Sequence, residues 1–371
     1  MGLGESYADR SVFVTGHTGF KGAWLSEWLA TMGAHVTGYA LDPPTEPSLF
    51  AALELDARLR HVVADVRDRD RLVAEVEAAQ PSVIFHLAAQ ALVRRAHAEP
   101  RETFETNVMG TVNVLEAARA CASVHAVVIV TSDKCYQNSE TGLPFRETDA
   151  MGGRDPYSAS KGCAELVTAA YRESFFADGA AVASARAGNV IGAGDWAADR
   201  IIPDSVRALV AGKPIVVRNP DAVRPWQHVL EPLSGYLWLG ALMLRDARRY
   251  EGAWNFGPAD QGGDRPVRWV VERFLEEWGS GSWTTQADAV PQPHEAHHLS
   301  LDSAKAREQL GWAPVWDART AVRRTAEWYR EYYRAAAAAR ELVEHQLQEY
   351  QDAARAAGLA WAGAGEGRTT T

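Results

Sequence analysis

The first half of the chain alternates short β-branched runs with longer segments whose apolar residues recur at helical spacing. Such alternation predicts right-handed βαβ units and a parallel sheet covered by helices on both faces. The strand-like runs are apolar almost throughout, as expected of strands buried on both sides. They are SVFVTG, HVTGYAL, HVVAD, SVIFHLA, HAVVIVTS and AVASARAGNV, and the helical segments are KGAWLSEWLATMG, DRLVAEVEAAQ, TFETNVMGTVNVLEAARAC and YSASKGCAELVTAAYRESFF. The sequence therefore predicts an α/β fold with a doubly wound parallel sheet.

The pattern changes after about residue 185, where glycines, prolines and tryptophans crowd AGNVIGAGDWAADRIIP and RNPDAVRPWQH. This composition is typical of binding loops on a scaffold. We predict a first domain over 1–185 and a smaller, partly discontinuous substrate domain over 186–335. Within it, 225–250 contains an apolar helix that is expected to return to the first domain. The tail, 336–371, is expected to complete a long exposed helix that starts at Arg319, and to end in disordered GAGEGRTTT.

Composition and charge exclude several classes of protein. A net charge of −10 disfavours a nucleic-acid binder, which needs a basic face. No apolar run reaches the roughly 18 residues of a membrane span, and the N-terminus lacks the apolar region of a signal peptide. Three scattered cysteines indicate reduced thiols and a cytoplasmic protein.

The stretch HEAHH, His294 to His298, matches the H-E-x-x-H pattern of zinc proteases. That chemistry needs both histidines on one face of a stable helix. Pro291 and Pro293 precede the stretch, and too few residues remain before the next predicted helix. We therefore expect a loop here and no metal.

Gly16, Gly19 and Gly22 lie between the first predicted strand and the first helix. Glycines there permit a tight turn and let the backbone approach a pyrophosphate at the helix N-terminus. The spacing, GxxGxxG, is one residue longer than the standard dinucleotide fingerprint. Asp42, 20 residues after Gly22, can bind the ribose hydroxyls of NAD and would repel the 2′-phosphate of NADP, although it could instead be a turn residue before Pro43.

These features predict a Rossmann-type NAD site. Asp65, at the end of the third strand, is placed to bind the adenine edge, and small side chains after the fourth strand leave room for the cofactor. The other residues expected to bind it are Phe20, Val66, Ala88, Ala89, Gln90, Asn107, Tyr157 and Lys161.

Tyr157 and Lys161 are four residues apart on a predicted helix and therefore face the same way. A tyrosine is a poor base at neutral pH unless a cation such as Lys161 stabilises its phenolate. The fifth strand ends in the polar run Thr131, Ser132, Asp133 and Lys134, in which Ser132 can orient a substrate alcohol. Together these residues predict a catalytic centre for alcohol oxidation.

The chain resembles the extended short-chain dehydrogenase/reductases that act on nucleotide sugars, and within them the CDP-glucose 4,6-dehydratases. The resemblance covers roughly residues 10 to 335. It is carried by TGHTGFKGAWLSEWL, LDPPTEPSLF, TSDKCYQN, RAGNVIGAGDWAADRIIPD and PHEAHHLSLDSAKAREQLGW.

The resemblance implies a 4,6-dehydration of CDP-glucose in deoxysugar biosynthesis. The sugar is oxidised at C4, water is eliminated across C5–C6, and hydride returns from NADH to C6. It implies that Tyr157 takes the C4-hydroxyl proton, that Asp133 protonates the leaving C6 hydroxyl, and that Lys134 is the C5 base or its orienting group. Related dTDP-glucose dehydratases carry a glutamate at the position of Lys134, so the lysine indicates the CDP branch.

The resemblance also implies how the substrate is bound. Arg224 corresponds to the family arginine that contacts the pyrophosphate, and Asn189 and Arg200 lie in the loop that contacts the phosphates and the base. Trp226 and Trp196 are candidates for substrate contact. A homodimer or homotetramer is implied, in which helices over 103–121 and 157–176 pair between subunits.

Two alternatives remain. The chain could be a dehydratase of another nucleotide hexose (dTDP-, GDP- or UDP-linked) or a 4-epimerase of the same fold, although an epimerase does not need the pair Asp133–Lys134. It could also be a non-catalytic NAD-binding regulator, but such a protein could lose Tyr157 or Lys161, and both are present.

Overall fold

The computed structural model describes residues 2–138, 140, 142–258, 264–285, 299–334 and 338–363. The strands are β1 Ser11–Thr15, β2 His35–Ala40, β3 Arg60–Val63, β4 Val83–His86, β5 Ala126–Val130, β6 Ala181–Ala187, β7 Val190–Ile191, β8 Ile215–Val217, β9 Val223–Pro225, β10 Gln227–His228, β11 Gly252–Phe256, β12 Asp264–Pro266 and β13 Trp283–Thr285.

The α-helices are α1 Leu3–Tyr7, α2 Phe20–Thr31, α3 Leu49–Ala52, α4 Arg69–Ala79, α5 Val93–Ala98, α6 Pro100–Phe104, α7 Gly110–Ala120, α8 Pro156–Phe175, α9 Ile201–Val210, α10 Leu230–Met243, α11 Ala247–Tyr250, α12 Val267–Trp278, α13 Ala318–Arg334 and α14 Ala339–Ala356. Short 3₁₀ turns cover Leu55–Ala57, Asp133–Cys135 and Ala360–Ala362, and π-turns cover Glu105–Met109 and Ala306–Leu310.

Seven parallel strands form the central sheet, in the order β3-β2-β1-β4-β5-β6-β11. Val12 of β1 pairs with Val36 on one side and with Val83 on the other, which fixes the register at the centre. The predicted doubly wound α/β fold is confirmed. Because the strand order reverses between β1 and β4, a crevice opens at the carboxyl ends of these two strands, where such folds bind ligands.

Alternate residues of each strand serve different halves of the core. Val12 and Val14 belong to the same apolar cluster as Trp24 and Trp28 of α2. Phe13, between them, belongs to the opposite cluster, with apolar residues of α4 and α7. The strands are apolar throughout because both faces are covered by helices.

The segment after the loop region returns to the first domain. Every residue of α10 is buried, and the helix packs on β5 and β6, while β11 extends the sheet beside β6. The predicted boundary at residue 185 falls inside β6. Among the described residues, no helix is both long and apolar enough to cross a bilayer.

The smaller region consists of α9, α12 and three two-stranded sheets. These sheets pair β7 with β10, β9 with β12, and β8 with β13. The pairing of β9 with β12 brings Arg224 opposite Arg265, and the pairing of β7 with β10 joins the loop after β6 to the segment that leads into α10. The region thus covers the carboxyl end of β6.

The prediction of one long exposed helix from Arg319 is wrong, because α13 and α14 are separate and each buries one face. The arginines and glutamates of this region belong mainly to the outer faces, whereas alanines such as Ala321, Ala326 and Ala354 are buried on the inner faces with the aromatic residues. Tyr350 of α14 stacks on Trp361 at 5.6 Å between ring centroids and donates a hydrogen bond to buried Glu231 of α10. The predicted disordered end, GAGEGRTTT over 363–371, lies outside the described residues except for Gly363.

Candidate active site

The glycine loop between β1 and α2 is a close-packed turn. Gly16 has a φ of +76°, and a Cβ atom added there would lie 2.6 Å from the backbone nitrogen of Ala88. A Cβ atom at Gly22 would lie 2.0 Å from the carbonyl oxygen of Gly16. Gly19 precedes the first residue of α2, Phe20, so the unpaired N–H groups of the first turn are available to a phosphate. The loop therefore fits the pyrophosphate of a dinucleotide.

The predicted ribose and adenine residues follow the next two strands. Asp42 is exposed two residues beyond β2, in a position open to a ligand. Asp65 follows β3, and its carboxylate accepts hydrogen bonds from the backbone and the guanidinium of Arg67. Val66 is buried against Gly110 of α7. These positions form one edge of the crevice.

The residues after β4 form its other edge. Ala88 and Ala89 are partly exposed beside the glycine loop. The amide of Gln90 is occupied within the protein, because it donates to Thr103 and accepts from Leu92. Asn107 accepts from the backbone of Gln90 at 2.8 Å and donates to Ser160 of α8 at 2.8 Å. Asn107 therefore links the end of β4 to the helix that carries Tyr157.

The polar end of β5 meets the first turn of α8. Ser132 Oγ donates to Asp133 Oδ1 at 2.9 Å and accepts from the backbone N–H of Lys134 at 3.2 Å, so it caps the 3₁₀ turn Asp133–Cys135. The Tyr157 hydroxyl lies close enough to Ser132 for the serine side chain to lower its pKa. The structure thus brings together residues that are 25 positions apart in sequence.

Burial sets the acid–base properties of Tyr157 and Lys161. Loss of hydration raises the pKa of Tyr157 to about 12, and the nearby side chain of Ser132 opposes this rise. Burial lowers the pKa of Lys161 to about 8, and Glu165 one turn later opposes this fall. The Lys161 ammonium donates to the carbonyl oxygen of Val130 at 3.3 Å.

Asp133 is buried, and its Oδ2 atom has no hydrogen-bond partner among the described residues. Burial raises the pKa of this carboxyl above its usual range, although Lys134, Arg224 and Lys21 favour the charged form. An aspartic acid with a raised pKa and an unused oxygen can donate a proton to a bound molecule. Its environment is that of a general acid.

Lys21 is a site residue that the sequence analysis missed. It lies in the first turn of α2, inside the glycine loop, and is half-buried. Burial, together with the nearby charges of Arg200 and Lys161, lowers the pKa of Lys21 to about 8, and Asp133 opposes this fall. In the sequence the only sign of this role is a lysine between Phe20 and Gly22. The position of Lys21 in the first turn of α2 is what brings its side chain near Asp133 and Lys161.

Arg224 and Arg200 both approach this centre. Arg224 is buried and favours ionisation of Asp133. Arg200 pairs with Asp195 at 2.9 Å and lies near enough to Tyr157 to lower the pKa of its hydroxyl. The two arginines come from different segments and supply positive charge on the same side of the crevice.

Two further predicted substrate residues are placed differently. The backbone oxygen of Asn189 accepts from the N–H of Gln227 at 3.1 Å, which fixes the loop after β6. Trp226 is buried, and its indole N–H donates to the carbonyl of Arg265, so it packs inside the smaller region. Trp196 is likewise packed against aromatic residues of α13. We do not include either tryptophan in the proposed site.

Candidate metal ligands can be compared by position in the part of the chain that the structure describes. There, no group of histidine, cysteine, aspartate and glutamate side chains could hold a metal ion. The HEAHH stretch, residues 294–298, lies outside the described residues.

Comparison with known proteins places this geometry in context. The model of the NAD dependent epimerase/dehydratase family matches residues 12–248. A CDP-glucose 4,6-dehydratase of Salmonella typhimurium is 48% identical over 332 residues, which is 88% of this chain and 92% of that protein. A dTDP-glucose 4,6-dehydratase of the same organism is 25% identical over 287 residues, 72% of this chain and 77% of that protein. The crystal structure of a Thermus thermophilus UDP-glucose 4-epimerase with NAD superposes with a TM-score of 0.72 at 25% identity, covering 86% of this chain and 98% of that one.

The glycine loop gives a direct test of dinucleotide binding. Gly22→Ala should abolish NAD binding, because the new methyl group would collide with the Gly16 carbonyl and open the turn. Equilibrium dialysis with NAD measures this. Gly4→Ala in α1, where an added Cβ atom meets nothing within 4 Å, is the matched control and should bind NAD normally. Equal affinity of the two variants would contradict the assignment of the loop.

Proposed function

Because the chain belongs to the NAD dependent epimerase/dehydratase family, we propose that it is a hydro-lyase that converts CDP-glucose into CDP-4-keto-6-deoxyglucose. The 48% identity to a CDP-glucose 4,6-dehydratase supports both the chemistry and the nucleotide. The observation that carries the proposal is the position of Asp133: a buried carboxyl with an unused oxygen, beside Ser132 and Tyr157. Such a product belongs to deoxysugar biosynthesis.

The first step is oxidation at C4. When bound between the glycine loop and the end of β4, NAD would supply the hydride acceptor for C4 and, once reduced, the hydride donor for C6. Tyr157 accepts the proton of the C4 hydroxyl. Ser132, which lies beside Tyr157, orients that hydroxyl. Protonated Lys161 offsets the phenolate charge, which a pKa of about 12 would otherwise make unfavourable.

The second step is loss of water across C5–C6. The C4 ketone acidifies the C5 hydrogen, and Asp133 donates a proton to the leaving C6 hydroxyl. Lys134 removes the C5 proton or orients the group that does so, and the same group returns a proton to C5 when C6 receives the hydride. A 4-epimerase requires no acid at C6, so the environment of Asp133 favours a dehydratase over an epimerase.

The substrate diphosphate is held by positive charge. Arg224 contacts the pyrophosphate, and Arg200 exchanges its ion pair with Asp195 for a phosphate oxygen. Asn189 lies at the start of the same loop. This arrangement uses side chains from separated segments, so the substrate itself draws the smaller region toward the crevice.

The proposal is tested by turnover of CDP-glucose and dTDP-glucose in parallel reactions with NAD present. We expect the 4-keto-6-deoxy product, detected by its absorbance in base, from CDP-glucose alone. A preference for dTDP-glucose would be consistent with the proposed mechanism but would contradict the assignment of CDP as the nucleotide. If both substrates gave a C4 epimer and no 4-keto-6-deoxy product, the proposal that the protein is a dehydratase would be wrong.

The role of Asp133 is tested by Asp133→Asn, which keeps the shape of the side chain and removes the acidic proton. We expect water loss to slow by on the order of 10² to 10⁴, while C4 oxidation still reduces the cofactor. Quenched-flow analysis of the 4-keto intermediates separates the two steps. Asp70→Asn, which alters an exposed carboxylate of α4, is the control and should be unaffected. Equal loss of both steps would exclude the role as acid.

We also propose a homodimer, or a homotetramer built from such dimers, in the cytoplasm. Phe104 of α6, Met109 of the π-turn between α6 and α7, and Leu166 of α8 are large apolar side chains that are 37%, 50% and 61% exposed, and these segments pack together. Neighbouring helices with exposed apolar side chains favour a symmetric pairing of like surfaces. The unpaired state of the three cysteines fits a reducing compartment.

Leu166→Glu should shift the protein toward monomers, because a charge would be buried at the centre of the paired helices. Light scattering coupled to size-exclusion chromatography measures the mass. Val216→Glu places the same charge on an exposed valine of β8 and should leave the mass unchanged. A dimer that survives Leu166→Glu would require another interface.

A further inference from the structure

We propose that Glu165 is a positioning residue for the reaction. It holds the polar end of β5, which carries Ser132 and Asp133, in register with the helix that carries Tyr157 and Lys161. The inference rests on the proposed function and deepens it, because it identifies what keeps the proposed acid and the proposed base in one geometry. Glu165 itself contacts no substrate.

The carboxylate of Glu165 is buried and joins three elements. One oxygen accepts a hydrogen bond from Thr131, the residue before Ser132. The other oxygen accepts from Ser184 of β6 at 2.6 Å and from Arg186 of β6 at 2.6 Å. Glu165 lies on α8, one helical turn after Lys161. A single side chain thus fixes the start of the polar segment against the catalytic helix.

The same ion pair fixes the other end of the polar segment. Arg186 donates a hydrogen bond of 2.6 Å to the hydroxyl of Tyr136, the residue that follows the 3₁₀ turn, and its guanidinium lies over the ring of that tyrosine. Tyr136 in turn donates to Asn255 of β11 at 2.7 Å. Asp133 and Lys134 lie between the two tethered residues, Thr131 and Tyr136. Their positions are therefore set by the ion pair on both sides.

Stability alone does not account for this pair. The side chains of Arg186 and Glu165 are each 4% exposed, and a buried ion pair is often no more stabilising than well-packed apolar residues of the same volume. A carboxylate in this position does, however, supply a fixed hydrogen-bonding geometry and a negative charge next to Lys161. Both properties bear on catalysis.

The electrostatic effect acts on Lys161. Glu165 raises the pKa of Lys161, and so does Cys135, against the burial that lowers it to about 8. The other ionisable groups that face Lys161 are His86 on β4, Lys21 on α2, and Tyr157 one turn earlier on the same helix. Without the negative charge of Glu165, Lys161 would lose its proton at a lower pH. The phenolate of Tyr157 would then lack its cation in the alkaline range.

Two sets of variants separate geometry from charge. Thr131→Val removes one tether and leaves the ion pair in place, and Thr131→Ser restores the hydroxyl and is the rescue control. Glu165→Gln combined with Arg186→Met removes the negative charge without leaving a buried guanidinium unpaired, so the double variant is expected to fold. Circular dichroism and a thermal melt confirm folding before any kinetic comparison.

Thr131→Val should lower kcat for dehydration of CDP-glucose on the order of 10- to 100-fold with little change in KM, and Thr131→Ser should resemble the wild type. In the double variant, the alkaline decline of kcat/KM should occur at a pH about one unit lower than in the wild type. The pH dependence of NAD binding, which needs no substrate, should show the same displacement, because Lys161 belongs to the proposed cofactor site.

Wild-type kinetics and an unmoved alkaline limb in both sets of variants would overturn the inference. An inactive wild type with a displaced NAD-binding profile in the double variant would overturn the proposed substrate and leave the role of Glu165 intact. A double variant whose kcat falls with no change in either pH profile would reduce Glu165 to a structural residue.

Discussion

The contact between the end of β5 and the first turn of α8 is the interaction on which the site depends. Ser132 lies close to Tyr157 there, and the strand and the helix bring with them the groups that we propose to transfer protons. The parallel sheet makes this meeting possible, because all strands end at the same edge and α8 begins above it. A loop alone could not hold the side chains of Ser132, Asp133, Tyr157 and Lys161 in a fixed geometry.

Burial gives these side chains their chemistry. Removal from water raises the pKa values of Asp133 and Tyr157 and lowers those of Lys161 and Lys21, so all four move toward their neutral forms. A chain of net charge −10 thus gathers several cations around one carboxyl at the base of its crevice. An anionic substrate compensates that positive charge, so the charges in the crevice are balanced only when such a molecule is bound.

Much of this architecture can be predicted from sequence because its signals are local. Strand–helix alternation predicts β1 to β6, and the glycine spacing predicts the loop before α2. By contrast, β11 is a short run that extends the sheet only because β6, more than 60 residues earlier, offers an open edge. The role of Lys21 depends on where α2 begins, and that of Glu165 on three partners from other elements.

The aromatic and ionic contacts of α13 and α14 could not be predicted from the sequence for a related reason. Composition describes the outer face of α13 and α14, whereas their packing depends on which residues share the inner face. Trp196 is a clear case, since its surroundings in a glycine-rich loop suggest a binding role. Its indole N–H instead donates to Tyr333, and its ring is enclosed by Trp328 and Tyr329.

The docking of Tyr350 and Trp361 on Trp28 has a consequence for biosynthesis. Trp28 belongs to the second helix to leave the ribosome, yet two of the rings that cover it belong to the last part of the chain. During synthesis the apolar face of α2 around Trp28 therefore stays exposed until these later residues have been made. The folding of the cofactor-binding half can be completed only after Tyr350 and Trp361 have been synthesised, and the nascent chain is a natural client for chaperones that shield such faces.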